Sequence, residues 1–65
     1  MNKNQLLDDI AEMIGSMVFY HISNDTIWSC VESKLLAHRS LLDPADYCEA
    51  CCAAIRMVKK AEAWS

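Results

Sequence analysis

The segment LLDPADY, residues 41–47, decides the fold because it ends one helix and starts another. Asp43 is a favourable capping residue, and Pro44 suits the first position of a helix, where its missing N–H costs nothing. Asp46 falls in the first helical turn, where negative charge is stabilising. We therefore predict a helix that stops at about residue 42 and a further helix over residues 44–63.

The chain before this segment predicts two helices. Residues 4–21 carry apolar side chains at the three- and four-residue spacing of an amphipathic helix, and Asn2 with Gln5 forms a weak capping pair at its start. Short polar residues at 23–26 then start a second helix over residues 25–42. Its apolar side chains share an arc of about 100°. They are Ile27, Trp28, Val31, Leu35, His38 and Leu42.

Three helices with short connections predict an all-α fold in a single domain of residues 1–65. The arrangement is a small three-helix bundle or a helical hairpin plus one helix. A chain of 65 residues buries only about 60% of its unfolded surface. Yet 54% of its residues are hydrophobic, which is more apolar surface than one small core can hide. We therefore expect oligomerisation to complete the fold, as a homo-oligomer or in a larger complex.

Charge and hydropathy argue against two classes of partner. The net charge is −3 and the basic residues are dispersed, whereas nucleic-acid binding needs a concentrated basic face. A DNA-reading helix after residue 43 would also bring Asp43, Asp46 and Glu49 against phosphate. The apolar run MVFYHI, residues 17–22, is too short for a membrane span or a signal-peptide core. We expect no nucleic acid and no membrane as partners, and a soluble cytoplasmic protein.

Three thiols in the third helix are open to several interpretations. Cys48, Cys51 and Cys52 share an arc of about 100°, and free cysteine is usually buried, so small core residues are the favoured interpretation. A disulfide framework is disfavoured without a signal peptide, and adjacent cysteines in a helix do not bridge each other. Redox catalysis is disfavoured because Asp43, Asp46 and Glu49 surround Cys48 with negative charge.

A metal site is the main alternative use of these thiols. Zinc needs three or four ligands that converge on one point, and its ligands usually come from a turn rather than a helix interior such as EACCAAI. We therefore expect no metal and no cofactor. The candidate ligands of this alternative are Cys30, His38, Cys48, Cys51 and Cys52, with His21 as a further donor.

His38 invites a catalytic interpretation because Ser40 and Asp43 follow it closely. Such a triad would rest on proximity in sequence alone, without a nucleophile elbow and without a cleft in so short a chain. The plainer expectation is a packed histidine that bonds a carbonyl in the last turn of its helix. We therefore expect no enzymatic activity.

The third helix has a second apolar side, which we call the seam. It consists of Ala50, Ala53, Met57, Lys60 and Trp64, with Lys60 interrupting a heptad-like spacing. We expect it to point away from a core side formed by Cys51, Ile55 and Val58. Small residues let a partner helix approach closely, while Met and Trp are high-area contact residues. The seam therefore predicts a protein-binding face.

These features predict a small non-enzymatic protein-binding module, an adaptor, regulator or inhibitor of a larger protein or complex. Compact single-domain chains of this size are common among phage and mobile-element accessory proteins, including inhibitors of host defence, and that association comes from size alone. The alternative function is that of a small Cys/His metal-binding protein.

Overall fold

A computed structural model of the chain describes residues 2–64, except for the side chain of residue 64. It contains three α-helices, α1 (Lys3–Phe19), α2 (Asn24–Ala37) and α3 (Pro44–Trp64). A short 3-10 helix, Arg39–Leu41, connects α2 to α3. The predicted all-α fold with three helices is confirmed.

The start and the end of α1 have different local causes. The Asn2 side chain accepts a hydrogen bond from the Gln5 N–H, and the Gln5 side chain accepts one from the Asn2 N–H, at 2.9 and 3.1 Å. This is the predicted capping pair in its full reciprocal form. The helix ends at Phe19, two residues earlier than predicted, because His21 adopts a left-handed conformation with φ of 57°.

Backbone hydrogen bonds stabilise this end of α1. The His21 N–H donates to the Val18 carbonyl at 3.1 Å, and the Ile22 N–H donates to the Met17 carbonyl at 2.9 Å. Together with the left-handed His21, these two bonds form a Schellman motif, which satisfies carbonyls that a helix end would otherwise leave unpaired. Glycine is the usual residue at this position, and histidine is one of the residues that tolerate it.

The connection between α2 and α3, residues 38–43, is longer than the sequence suggested, because α2 ends earlier than predicted. Ser23 caps α2, since its hydroxyl accepts from the Thr26 N–H at 3.4 Å. The helix then ends at Ala37 rather than at residue 42, and Leu42 has extended backbone. The proline at 44 disfavours helical backbone just before it. As predicted, α3 begins at Pro44.

The three helices run up, down and up. Lys3 Nζ contacts Glu49 Oε2 at 2.5 Å, which places the first turn of α1 beside the start of α3. The Trp28 Nε1–H donates to Glu62 Oε1 at 2.5 Å, which places the start of α2 beside the end of α3. α1 and α3 are therefore parallel, and α2 runs antiparallel to both. In the described part of the chain, no helix has the length and apolarity to cross a membrane.

The core is built from three residues of each helix. Its members are Leu6, Ile10, Ile14, Ile27, Val31, Leu35, Ala50, Ala54 and Val58. α1 and α2 contribute leucine, isoleucine and valine side chains to the core, whereas α3 contributes two alanines and one valine. Alanine lets the other two helices approach the α3 backbone closely, so the large side chains of α1 and α2 fill the interior.

The predicted division of α3 into a core side and an outward seam is wrong at two positions. Ala50, which was assigned to the seam, is fully buried, while Ile55, which was assigned to the core, is 40% exposed. Of the predicted core side, only Val58 is fully buried, and Cys51 is half-buried. The buried line of α3 is therefore Ala50, Ala54 and Val58, whose side chains are smaller than the leucines and isoleucines that α1 and α2 place in the core.

We predict that overpacking this line is costly. Ala54→Leu should lower the free energy of unfolding by about 1–3 kcal/mol, because the added carbons meet the closely packed side chains of α1 and α2. Ala63→Leu in the same helix is the control, since Ala63 is exposed and the change should stay within about 0.5 kcal/mol. Urea denaturation measures both. Equal effects of the two variants would contradict the assigned core line.

The ion pair between Lys3 and Glu49 predicts a pH dependence of stability. The hydrogen bond from Lys3, together with its charge, lowers the pKa of Glu49 below its ordinary value of 4.5, and the same bond raises the pKa of Lys3 above 10.5. A carboxyl with a lowered pKa in the folded state contributes stability above 4.5, and that contribution is lost as the pH falls through the lowered pKa.

We therefore expect Glu49→Gln to lower the melting temperature slightly at pH 7 and to have no effect once the pH is well below 4.5. Melting curves across the acid range measure the difference. Glu32→Gln is the control, because Glu32 is exposed on α2 and is in neither of the two ion pairs found in residues 2–64. A difference for Glu49→Gln that does not change with pH would show that the ion pair is not its cause.

Candidate partner-binding groove

An apolar groove of about 360 Å³ lies between α1 and α3, towards their carboxyl ends. From α1 it is lined by Ala11, Ile14, Gly15 and Val18, and from α3 by Met57, Lys60 and Ala61. Lys60 is the one charged residue of this lining. The groove therefore presents carbon atoms to solvent beside the hydrophobic core.

Small side chains create the groove. Ala11 and Gly15 are one turn apart on the edge of α1 that faces α3, and Ala61 lies opposite. α1 continues through Gly15 without a break, and a Cβ added at Gly15 would meet nothing within 4 Å. The space over Gly15 is therefore open, and a larger residue there would project into the groove.

The predicted seam of α3 runs along the border with α1. Ala50 is buried in the core, and Ala53 lines a second cavity nearer the start of the helices. Met57 is half-buried and lines the groove together with Lys60. The side chain of Trp64 lies outside the described residues. The seam thus faces α1 at Ala50 and Ala53 and borders an open groove at Met57 and Lys60.

The sequence analysis missed the α1 side of this groove. Val18 was considered only as part of the apolar run MVFYHI, residues 17–22, and Ala11 was not considered. Gly15 was the available signal, since a glycine inside a helix costs about 1 kcal/mol relative to alanine and often has a packing or functional reason. Together with Ala11 one turn earlier, it marks the place where α1 is narrowest.

An exposed aromatic pair lies beside the groove. Phe19 and Tyr20 are 75% and 69% exposed, and their rings meet edge to face with centroids 5.1 Å apart. Phe19 follows Val18, which lines the groove, and Ile22 is a further exposed apolar side chain in the turn after α1. Exposed aromatic residues next to an apolar groove are typical of protein contact surfaces.

The second cavity, of about 450 Å³, is more polar than the groove. Its lining consists of Lys3, Asn4, Leu7, Cys48, Glu49, Cys52, Ala53 and Arg56. It lies at the amino-terminal half of α1 and α3, where Lys3 bonds Glu49. Two thiols and two cations therefore share one surface depression.

The four thiols fall into two classes. Cys48 and Cys52 are exposed, while Cys30 and Cys51 are half-buried, and all four are free. The core interpretation is therefore wrong for Cys48 and Cys52. They lie about 120° and 160° round the helix from Ala54, which is the middle of the buried line. Cys51 packs against the core and adjoins Tyr47, whose pKa is raised by burial and by the neighbouring thiol.

The candidate metal ligands do not converge. Within residues 2–64, no group of three or more His, Cys, Asp or Glu side chains could hold a metal ion. His38 caps the end of α2, where its Nδ1–H donates to the Lys34 carbonyl at 2.8 Å. The predicted bond from His38 to a carbonyl of the last helical turn is confirmed. Its ring therefore anchors the end of α2.

Comparisons with protein-family models, curated proteins and solved structures found no match for this chain. A proposal for its function therefore has to come from its own surface. The surface features on which such a proposal can rest are the groove between α1 and α3, the aromatic pair beside it and the exposed thiols.

Proposed function

We propose that the chain is a small non-enzymatic protein-binding module that acts as an adaptor, regulator or inhibitor of a larger protein. The observation that carries this proposal is the apolar groove between α1 and α3. A contiguous apolar depression next to exposed aromatic residues is unfavourable in water and favourable in a protein contact. A reducing compartment such as the cytoplasm suits a chain with four free thiols.

The shape of the groove suits a helix. It lies between two parallel helices, and the small residues Ala11, Gly15 and Ala61 leave room for an approaching backbone. A helix that binds in such a groove inserts apolar side chains at three- and four-residue spacing. Each helix of this chain carries apolar side chains at that spacing, so a second copy is a suitable source of the bound helix.

Charge complementarity favours a second copy as the occupant. On α1, the exposed carboxylates Asp8 and Glu12 lie within about 60° of Gly15 round the helix. On α3, the exposed cations Arg56 and Lys60 lie within about 40° of each other. Neither set takes part in the ion pairs found in residues 2–64. One edge of the groove is thus acidic and the other is basic.

A twofold axis parallel to the helices places these edges opposite each other. α1 of one copy then faces α3 of the next, as a closed dimer with identical contacts requires. Lys3 is beside Glu49, so Glu12, nine residues further along α1, is level with Val58, nine residues further along α3. Glu12 therefore lies between the levels of Arg56 and Lys60 of the second copy, where opposite charges attract.

The available area is sufficient for such a dimer. The chain exposes 4490 Å². A standard interface covers about 800 Å² on each partner. One side of a three-helix bundle presents roughly one third of its exposed surface, so a single side of this chain is large enough for such an interface. The aromatic pair Phe19 and Tyr20 extends the apolar surface beyond the groove, and we propose that it contacts the larger protein.

We predict that filling the groove separates folding from binding. Gly15→Leu should retain or raise the free energy of unfolding of the monomer, because an added Cβ meets no atom within 4 Å, the space beyond it is an open groove, and helix propensity improves by about 1 kcal/mol. It should weaken self-association by more than about tenfold, because the side chain occupies the space of the partner. Sedimentation equilibrium and urea denaturation measure the two effects.

Ser16→Leu is the matched control for this experiment. Ser16 is exposed, follows Gly15 in α1 and does not line the groove, so an added leucine there should leave self-association unchanged. Equal loss in both variants would show that added apolar surface, rather than the filled groove, is responsible. An unmodified protein that stays monomeric at about 100 µM would refute the second copy as occupant.

We also predict that charge reversal across the dimer is reciprocal. Glu12→Lys and Arg56→Glu should each weaken self-association, since each brings like charges together. A mixture of the two variants should form a heterodimer more readily than either forms a homodimer, because both of its contacts between positions 12 and 56 join opposite charges, whereas each homodimer has like charges at both contacts. Native mass spectrometry counts the species directly. A mixture without preference for the heterodimer would contradict the twofold arrangement.

A further inference from the structure

The exposed thiols of α3 have a use that does not depend on the groove. We propose that Cys48 and Cys52 form a two-coordinate binding site for a soft monovalent metal ion such as Cu(I). Both thiols are exposed, and both line the second cavity. They are one helical turn apart, so their side chains leave the helix in nearly the same direction.

The spacing of the two cysteines fits a linear site. Residues four apart in a helix have Cβ atoms about 5–6 Å apart. A metal–thiolate bond of about 2.3 Å makes a linear sulfur–metal–sulfur unit about 4.6 Å long. The two sulfur atoms can therefore reach the ends of this unit by side-chain rotation, without movement of the α3 backbone.

The chemistry of the pair selects the kind of metal. Thiolates are soft ligands that favour Cu(I), whereas zinc takes four ligands in tetrahedral geometry. In the described part of the chain no third His, Cys, Asp or Glu completes a larger set. Cys51 is half-buried against the core, and Cys30 is half-buried on α2. The pair thus offers two ligands, which suits an ion that needs only two.

The charges of the cavity match the complex. Two thiols each lose one proton when they bind a monovalent ion, so the bound site carries one negative charge and two protons are released. Arg56, one turn after Cys52, and Lys3 of α1 line the same cavity and can offset that charge. The carboxylate of Glu49 is bonded to Lys3, which reduces its repulsion of the site.

The test is a Cu(I) titration of the whole chain under reducing, oxygen-free conditions, in competition with a coloured Cu(I) chelator. We expect one Cu(I) per chain in the unmodified protein. Loss of an outer-sphere partner commonly weakens metal binding by about 10–100-fold, so loss of a direct ligand in Cys48→Ser or Cys52→Ser should weaken it by more than about 100-fold. Circular dichroism checks that these exposed positions tolerate serine.

The half-buried thiols supply the matched controls. Cys30→Ser and Cys51→Ser should retain Cu(I) binding, and Gly15→Leu should retain it too, which separates this site from the proposed dimer. Native mass spectrometry gives the stoichiometry. One Cu(I) shared by two chains, equal losses in all four cysteine variants, or retention of binding in Cys48→Ser or Cys52→Ser would each overturn the proposal.

Discussion

The close approach of α1 and α2 to the backbone of α3 is the contact on which the rest of the structure depends. Ala50 and Ala54 are fully buried in the core that the three helices share, where a larger side chain is expected to overpack the interior. The isoleucines, leucines and valine of α1 and α2 then supply most of the buried apolar volume. Two larger apolar residues of α3 lie on its flanks: Ile55 is exposed and Met57 is half-buried.

The groove is a consequence of the same arrangement. α3 has 21 residues and α1 has 17, and the two helices run side by side from Lys3 and Glu49 onward. The side chains of Ala11 and Gly15 are too small to cover the flank of α3 at Met57, so a groove stays open there. Within the described residues the groove stays open to solvent. Association with a second chain, as proposed above, would remove this apolar surface from water.

Local sequence signals predicted the elements well because they depend on neighbouring residues only. The Asn2–Gln5 cap, the start of α3 at Pro44 and the carbonyl bond of His38 are all of this kind. The end of α1 was missed because the left-handed position is occupied by His21, without the glycine that usually marks it. When a residue other than glycine takes the left-handed position, a single sequence gives little indication that the helix ends there.

The faces of α3 could not be predicted in the same way. Periodicity identifies an apolar arc, but α3 has apolar residues on most sides, and the buried line depends on how closely α1 and α2 approach. Hydrophobicity and the usual burial of cysteine favoured Ile55, Cys48 and Cys52 as core residues. In the structure, Ala50 and Ala54 occupy the core instead, because helices that approach each other closely leave little room for side chains between them. The core line was therefore set by tertiary packing.

The two proposals use different parts of α3 but share one residue, Arg56. Cys48 and Cys52 lie about 140° or more round α3 from Met57, which borders the groove. The groove lies at the carboxyl-terminal half of α1 and α3, whereas the thiols line the second cavity at the amino-terminal half. Arg56 is the residue that both proposals use, since it lies on the basic edge of the groove and lines the cavity of Cys52. A negatively charged metal complex at Cys48 and Cys52 would attract Arg56, which is also the cation that attracts Glu12 of a second copy. Metal binding and self-association would then compete for Arg56, so each would weaken the other by the same factor.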